Sequence, residues 1–396
     1  MSRRGRRGEG SLRIAMIGQR GLPATYGGIE HHVEEIGRRL VERGHDVTVF
    51  CRTNYVEQSA PEYHGIKLRH LPTVGTKHLD AFAHSALSTV AALPGGYDIV
   101  HYHALGPGVM APLPRYFTRS KVALTVHGLD HQRGKWGSGS KAALRAAAWL
   151  SGHVPDVTIV VARFLGDYYR ETYGRETVYI PNGVAEPTWR PARQIVDQYG
   201  LEARRYLLFL GRLVPEKAPD VLIRAFRGMR GDQRLVIAGG SSFTTGFVEE
   251  LHQLGKADPR VLFTGYVYGE VLDELYSNAA GFVLPSLLEG LPLTLLEAAS
   301  YGTPVIASTI PPHLEVLGDE APGRRLCPPG DETALQAALR RNQEDPEAER
   351  AGAKELRRRV LDTYRWEDVV EATEAAYRNV LKSRKTFAKS RFASTK

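Results

Sequence analysis

Short, continuously apolar segments alternate with helical patterns along almost the whole chain. Runs of this kind, rich in Val and Ile, are typical of strands that are buried on both faces of a sheet. Helices between such strands favour right-handed crossovers, and therefore parallel sheets covered by helices. The strands predicted in the first half are Arg13–Gly18, Asp46–Cys51, Ile66–Leu71, Asp98–His103, Val122–His127, Val157–Val161 and Val178–Ile180. Those predicted in the second half are Tyr206–Leu210, Arg234–Ala238, Val261–Thr264, Gly281–Leu284 and Pro304–Ala307.

The length of 396 residues is too great for one ordinary core, because a domain has typically about 150 residues. The strand-helix pattern is interrupted near residues 182–205, where Pro187 and Pro191 follow Pro181–Asn182–Gly183. We therefore predict an α/β protein with two Rossmann-like domains that face each other across a cleft. The predicted segments are a basic flexible tail at 1–10, an N-terminal domain at 11–190, a C-terminal domain at 191–364, a helix at 365–381 that packs back toward the N-terminal domain, and a basic tail at 382–396.

The net charge of +8 comes from the two ends of the chain. Residues 1–10 carry a net charge of +3 and residues 382–396 carry +6, so the remainder is close to neutral. This distribution argues against a nucleic-acid-binding groove. Two interpretations of the ends stay open, namely weak attraction to an anionic membrane surface and simple solvation of disordered termini.

No apolar run approaches the roughly 18 residues that a membrane-spanning helix needs. The run Leu12–Ile17 is short and typical of a buried strand rather than a signal peptide. Cys51 and Cys327 are far apart and lack metal-ligand spacing, so we interpret them as core thiols. We expect a cytoplasmic protein whose ends can touch the inner face of the membrane.

The segment Pro285–Ser308 carries the most information about chemistry. A loop with Glu289 and Gly290 leads from the end of a strand into a helix, for which Pro292 suits the first turn and Gly302 the C-terminal cap. The free N–H groups and the positive dipole end of that helix can hold a phosphate.

Two carboxylates accompany this helix start. Glu297 lies about one to two turns into an otherwise apolar helix, and a buried acid needs partners. One carboxylate can therefore meet a sugar while the other reaches a ribose hydroxyl. Glu289 and Glu297 are eight positions apart, and this spacing resembles the E-x7-E signature of the retaining GT-B glycosyltransferases of family 4.

The resemblance continues upstream, at Leu210–Lys217. In the family the corresponding strand-loop segment, here with Gly211, supplies an Arg and a Lys to the donor diphosphate. Arg212 would provide a planar fork and Lys217 a mobile point charge. The resemblance implies a nucleotide-sugar domain in the second half, with donor contacts at Gly211, Gly290, Leu291 and Glu297.

The first half resembles a narrower branch of the family, which contains rhamnosyltransferases of bacterial polysaccharide assembly. The matching segments are Gly18–Ala24, Tyr26–Glu30 and Thr125–Asp130 with Arg133, Lys135 and Trp136 beyond. Gly27 and Gly28 stand before a predicted helix and can admit a phosphate or a sugar. In the family, the His corresponding to His127 contacts the transferred sugar, and Asp130 is close enough in sequence to share that pocket.

A metal site is an alternative interpretation of His101, His103, His127 and His131. No cysteine or acidic pattern completes a recognisable site, and the sequence has no Asp–x–Asp. We therefore expect a reaction that needs neither a metal nor another cofactor.

Three other function classes are compatible with Rossmann-like domains. A nicotinamide oxidoreductase is disfavoured because Gly18–Gly21 lacks the Gly–x–Gly–x–x–Gly fingerprint and no acid follows the second strand. A nucleotide-sugar epimerase of GT-B build, or a non-catalytic nucleotide-sugar-binding protein, stays open as an alternative. The family resemblance implies transfer of a hexosyl or deoxyhexosyl group, with rhamnosyl as one candidate, from a nucleoside-diphosphate sugar to a glycan or lipid-linked glycan.

Overall fold

The computed structural model describes residues 10–25, 27–55, 60–73, 80–129, 138–240 and 245–392. It divides into two compact units. The first contains the chain up to Pro181 together with the C-terminal segment from Trp366, and the second is Asn182–Arg365. The chain thus leaves the first unit, builds the second, and returns to the first.

The first unit is built on an eight-stranded sheet with the order β3-β4-β2-β1-β5-β6-β7-β8. All neighbouring strands are parallel except β3 and β4. The strands are β1 (Arg13–Ile17), β2 (Asp46–Arg52), β3 (Glu62–Tyr63), β4 (Ile66–Leu71), β5 (Ile99–His103), β6 (Lys121–Val126), β7 (Val157–Val160) and β8 (Val178–Tyr179). The helices are α1 (Gly28–Glu42), α2 (Asp80–Ala92), α3 (Leu105–Gly108), α4 (Pro112–Phe117), α5 (Ser138–His153) and α6 (Arg163–Tyr173), with a 3₁₀ turn at Leu93–Gly95.

The second unit is built on a six-stranded, fully parallel sheet with the order β11-β10-β9-β12-β13-β14. Its strands are β9 (Tyr206–Leu210), β10 (Arg234–Ala238), β11 (Val261–Gly265), β12 (Gly281–Leu284), β13 (Val305–Ser308) and β14 (Arg324–Cys327). Its helices are α7 (Gln194–Tyr199), α8 (Pro219–Arg227), α9 (Thr245–Gly255), α10 (Gly269–Asn278), α11 (Leu293–Ser300), α12 (Pro311–Leu317), α13 (Glu332–Glu344) and α14 (Pro346–Thr363), with a 3₁₀ turn at Pro215–Lys217.

The central strands of both sheets are buried along their length. In β9 and β12, for example, residues 206–209 and 281–284 are all buried. Alternation of apolar and polar residues is absent from these central strands, which appear as continuous apolar runs, as in sheets covered on both faces. Near the edge of the first sheet, β4 alternates instead, with Lys67 and Arg69 exposed. The predicted pair of Rossmann-like domains with parallel sheets is confirmed.

Every strand predicted from the sequence is present, and two further strands were missed. β3 has only two residues and pairs antiparallel at the sheet edge. β14 lies at the other sheet's edge, is only partly buried, and contains Arg324 and Arg325. Neither strand has the apolar run on which the prediction relied.

The last helix, α15 (Trp366–Phe392), belongs to the first unit. Trp366 and Tyr377 are almost completely buried, and the Tyr377 hydroxyl lies 2.7 Å from His101 Nδ1. The helix predicted at 365–381 is thus present and continues through residue 392, into the segment predicted as a basic tail. Residues 1–9 and 393–396, also part of the predicted tails, lie outside the described residues.

Cys51 and Cys327 are free, buried thiols, as predicted. Burial raises the pKa of Cys51 to about 11 and that of Cys327 to about 12. Among the helices of the described residues, none combines the length and apolar character needed to span a membrane.

The Tyr377–His101 hydrogen bond should stabilise the docking of α15. We expect Tyr377→Phe to lower the free energy of unfolding by about 1–3 kcal/mol, because a buried His101 nitrogen loses its partner. Urea denaturation measures this change. Glu371→Ala, at an exposed position on the same helix, should change the free energy by less than about 0.5 kcal/mol. Equal stabilities for Tyr377→Phe and the wild type would contradict the anchoring role.

Candidate functional site

The loops that follow β9 and β12 lie at the same edge of the second sheet. The two strands are parallel neighbours in register, with Phe282 beside Leu208, so their carboxyl ends point the same way. In open α/β sheets this edge is where ligands bind. The loop after β9 carries Gly211, Arg212 and Lys217, and the loop after β12 carries Glu289.

An ion pair connects these two loops. Lys217 Nζ lies 2.6 Å from Glu289 Oε1, and the two side chains are only 12% and 14% exposed. Ser286 Oγ donates a second hydrogen bond to the same oxygen, at 2.8 Å. Burial by itself would raise the pKa of Glu289, but the Lys217 ammonium, His313 and the Ser286 hydroxyl hold that pKa below its ordinary value. The Glu289 side chain is therefore a carboxylate at neutral pH.

Gly211 makes room for the lysine. A Cβ atom at position 211 would lie 2.9 Å from Lys217 Cδ, closer than carbon atoms normally pack. The backbone also limits substitution just after the neighbouring strand β10, since a Cβ at Gly239 would lie 2.0 Å from the Gly211 carbonyl oxygen. Arg212 is in the same loop with an exposed side chain. The structure thus brings Lys217 to Glu289 and places Arg212 on the outer side of that loop.

The helix after Glu289 begins slightly later than predicted. Pro292 is the N-cap residue in an extended conformation, and α11 starts at Leu293. The prediction that Pro292 lies inside the first turn was therefore wrong by one position. Gly302, at φ 65°, follows the helix as predicted. Gly290 and Leu291 are both buried beside this helix start.

The start of α11 has the electrostatics of an anion site. Its first turn contains no acidic residue and no side chain caps it, so its N–H groups present the positive end of the helix dipole. The Leu291 carbonyl is held by Asn182 Nδ2 at 2.6 Å, a contact within the second unit that the sequence did not reveal.

Glu297 lies one turn into α11 and accepts a hydrogen bond from Tyr276 Oη at 2.8 Å. Burial, together with the nearby Glu297 charge, raises the pKa of Tyr276 well above its ordinary value, so the phenol stays a donor. Tyr276 also stacks on Tyr301, with ring centroids 5.2 Å apart. The partner that this half-buried acid requires is thus a tyrosine from α10, which sequence reasoning did not identify.

In the first unit, Gly27 and Gly28 lie at the start of α1. Gly27 is the N-cap residue with φ 108°, a conformation that favours glycine. A Cβ there would lie 2.1 Å from Glu30 Oε2, and Glu30 Oε1 accepts a hydrogen bond from the Arg20 N–H at 3.0 Å. Both glycines are exposed, and Gly28 is already the first residue of the helix that the sequence predicted to follow them.

A group of histidines lies at the carboxyl ends of β5 and β6. His103 Nδ1 and His127 Nε2 are 3.4 Å apart, and His32 from α1 packs edge-on against His127 with ring centroids 4.7 Å apart. Burial lowers the pKa of His103 well below its ordinary value and that of His127 to about 3. The imidazoles of His103 and His127 are therefore neutral at neutral pH.

His32, His103 and His127 are the residues of the described chain whose arrangement could hold a metal ion, because their ligand atoms lie within 4.8 Å of one another. Three imidazole nitrogens suit zinc and related metals. The sequence grouped His103 and His127 with His101, but His101 hydrogen-bonds to Tyr377 and Thr125 instead. His32 was missed, and its only sequence signal is its place just after Gly27 and Gly28. The expectation of a metal-free reaction stays a prediction.

Asp130 and His131, which follow His127 in the sequence, lie outside the described residues, as do Arg133, Lys135 and Trp136. The remaining candidates fall into two groups. Gly27, Gly28 and His127 belong to the first unit, while Gly211, Arg212, Lys217, Glu289, Gly290, Leu291 and Glu297 belong to the second.

Comparison with known protein families gives two matches, one in each half of the chain. The model described as "Glycosyl transferases group 1" matches residues 192–359. The model described as "Glycosyltransferase Family 4" matches residues 26–186.

Known proteins resemble the chain over most of its length. The D-inositol 3-phosphate glycosyltransferase of a Nocardioides species is 30% identical, over 92% of this chain and 89% of its own. Sucrose-phosphate synthase from Thermosynechococcus elongatus superimposes with a TM-score of 0.81 at 24% identity, covering 94% of this chain and 100% of that one. Anabaena HepE in complex with UDP and glucose gives a TM-score of 0.78 at 18% identity, covering 93% and 100%. The two structures share the fold of this chain.

The lowered pKa of Glu289 links the ion pair to acid stability. Its contribution is complete above the ordinary pKa of 4.5 and is lost as the pH falls through the lowered value. We therefore expect the melting temperatures of wild type and Glu289→Gln to differ most near neutral pH and to converge as the pH falls below 4.5. Melting curves across this range measure the difference. For the exposed Glu250→Gln control, the difference in melting temperature from wild type should be the same at every pH. A difference between Glu289→Gln and wild type that does not depend on pH would count against a native ion pair.

Proposed function

The chain belongs to the glycosyltransferases of group 1 and family 4, and from that premise we propose that it moves a hexosyl or deoxyhexosyl group from a nucleoside-diphosphate sugar to a glycan or lipid-linked glycan. The coarse class is plain, since the relatives are glycosyltransferases and the fold is that of GT-B enzymes. The proposal concerns which donor and acceptor the enzyme uses and whether the anomeric configuration is retained.

The Lys217–Glu289 ion pair is the observation that carries it. A mostly buried cation and a mostly buried carboxylate lie beside a helix start that carries no acid. A nucleoside-diphosphate sugar has both complementary parts, a dianionic diphosphate for the cation and the helix start, and hydroxyl groups for the carboxylate. HepE, which has the same fold, binds UDP and glucose, and this supports a nucleotide-sugar donor here.

In the proposed reaction, Lys217, Arg212 and the helix start near Leu291 neutralise the charge that develops on the leaving diphosphate. Glu289 holds sugar hydroxyls and Glu297 holds the ribose. Gly211 and Gly290 let the loops approach the donor. From the first unit, we assign sugar contact to His127, and donor contact to Gly27, Gly28 and Asp130.

We propose a front-face route with retention of the anomeric configuration. The bond between the anomeric carbon and the phosphate oxygen breaks, the acceptor oxygen forms the new bond on the same face, and the departing phosphate oxygen takes the acceptor's proton. This route requires no protein nucleophile and no metal. Rhamnosyl is a candidate group because the segments around Gly27 and His127 resemble rhamnosyltransferases. Weak contact of the basic ends with an anionic membrane would suit a lipid-linked acceptor.

A donor panel tests the proposed activity. The protein is incubated with UDP-, GDP-, ADP- and dTDP-linked sugars and a set of glycan and lipid-linked acceptors, with and without EDTA, and the products are identified by mass spectrometry. We expect one donor to give a glycosylated product at equal rates with and without the chelator. Conversion of the donor to an epimer without transfer would instead indicate an epimerase, and binding without any product would indicate a non-catalytic protein. Loss of transfer in EDTA would overturn the metal-free route.

Lys217→Ala should lower turnover at saturating donor by at least about 100-fold, a typical loss when one charge-stabilising donor is removed. Single-turnover and steady-state rates measure the loss, and a melting curve verifies that the variant is folded. Lys256→Ala, which removes an exposed lysine of the same unit, should leave turnover unchanged. Wild-type turnover by Lys217→Ala would remove the lysine from the mechanism.

A further inference from the structure

A chain of buried hydrogen bonds connects His313 to Glu289. His313 lies in the first turn of α12 and is completely buried. Its Nδ1 is 3.0 Å from the Ser308 carbonyl oxygen and 3.2 Å from Ser308 Oγ. Ser308 Oγ in turn donates to the Ser286 carbonyl oxygen, and Ser286 Oγ donates to Glu289 Oε1 at 2.8 Å. Three successive contacts therefore lead from the end of β13 to the candidate catalytic carboxylate.

These contacts define the tautomer of His313. The Ser308 carbonyl can only accept a hydrogen bond, and the Ser308 hydroxyl uses its single proton on the Ser286 carbonyl. Both groups must then accept from His313, so Nδ1 carries the proton. Burial lowers the pKa of His313 to about 4, and a neutral ring with its proton on Nδ1 has a bare Nε2. That Nε2 is buried and has no hydrogen-bond partner in the described part of the chain.

The donors and acceptors of this series of hydrogen bonds show how it orients the Glu289 carboxylate. The His313 Nδ1–H orients the Ser308 hydroxyl, and that hydroxyl fixes the peptide of Ser286 at the start of the loop after β12. Ser286 and Lys217 then donate to the same oxygen of Glu289. Within the described chain, both hydrogen bonds of Glu289 go to Oε1, so Oε2 is left for a ligand.

We propose that His313 is a positioning residue for the transfer reaction, acting through Ser308 and Ser286 to hold the Glu289 carboxylate with Oε2 presented to the sugar of the donor. This inference rests on the proposed function and extends it to a residue that lies outside the E-x7-E segment. The essential group is the Nδ1–H donor. Nε2 has no part in the chain of contacts.

Two substitutions distinguish the roles of the two ring nitrogens of His313. In His313→Asn, the amide NH₂ can take the place of Nδ1–H and nothing replaces Nε2. In His313→Gln, the amide reaches the place of Nε2 and the Nδ1 donor is lost. Using the donor selected by the panel, we expect the Gln variant to lower kcat or raise the donor KM by about threefold to tenfold, the effect of one hydrogen bond. The Asn variant should stay within about twofold of wild type, because its donor is retained.

The affinity for the free nucleoside diphosphate, measured by isothermal titration, separates positioning from a general structural role. The nucleoside diphosphate is assigned to Lys217, Arg212, Glu297 and the helix start near Leu291, so this affinity should change by less than about twofold in both variants. Leu314→Ala, an exposed neighbour on α12, should match wild type in every measurement. Ser308→Ala breaks the same chain one step later and should show the kinetic loss expected of His313→Gln, so the test stands even if His313→Gln fails to fold.

The proposal is overturned if Asn is as damaging as Gln, since Nε2 would then be the important atom. It is also overturned if Gln and Ser308→Ala both retain wild-type kinetics, or if nucleoside-diphosphate affinity falls as much as the kinetic constants. Absence of transfer by the wild-type protein would refute the proposed function itself, and is distinguishable because it precedes any variant.

Discussion

The candidate donor site depends on the ion pair between Lys217 and Glu289. Each of these two mostly buried charges is stabilised by the other. Removing either partner would leave an uncompensated charge that water can barely reach. The pair therefore fixes the loop after β9 relative to the loop after β12. Glycine at position 211 is part of the same constraint, since a side chain there would displace the lysine.

Hydrogen bonds from the surrounding polar groups hold the Glu289 carboxylate of that pair in one orientation. Ser286 donates to the oxygen that also receives the lysine, and His313 holds Ser286 through Ser308. Glu297 is held separately by Tyr276. His313 Nε2 is buried without a partner in the described part of the chain, but it takes no part in the contacts that lead to Glu289. Linked hydrogen bonds of this kind restrict the orientation of the carboxylate, as a site that binds a transition state more tightly than a substrate requires.

The first unit shows a comparable dependence on distant segments. His101 hydrogen-bonds to Tyr377 of α15, and the buried Trp366 at the start of that helix packs edge-on against His32 with ring centroids 5.8 Å apart. The histidines near the ends of β5 and β6 and on α1 thus contact α15, a helix that follows the whole second unit in the sequence. The sequence predicted a helix at 365–381, where α15 spans Trp366–Phe392, but it gave no reason to connect that helix with His101 or His32.

The sequence by itself determined the two largely parallel sheets, nearly every strand, the loops that carry Arg212, Lys217 and Glu289, and the helix that carries Glu297. It could do so because buried strands, glycine turns and helix starts have local chemical signatures. Only the tertiary structure decided which groups meet: Glu297 with Tyr276, His32 with His103 and His127, and His313 with Ser308. These contacts join residues far apart in the chain or with no motif of their own. Whether such side chains touch is decided by packing between strands and helices, which no local pattern encodes.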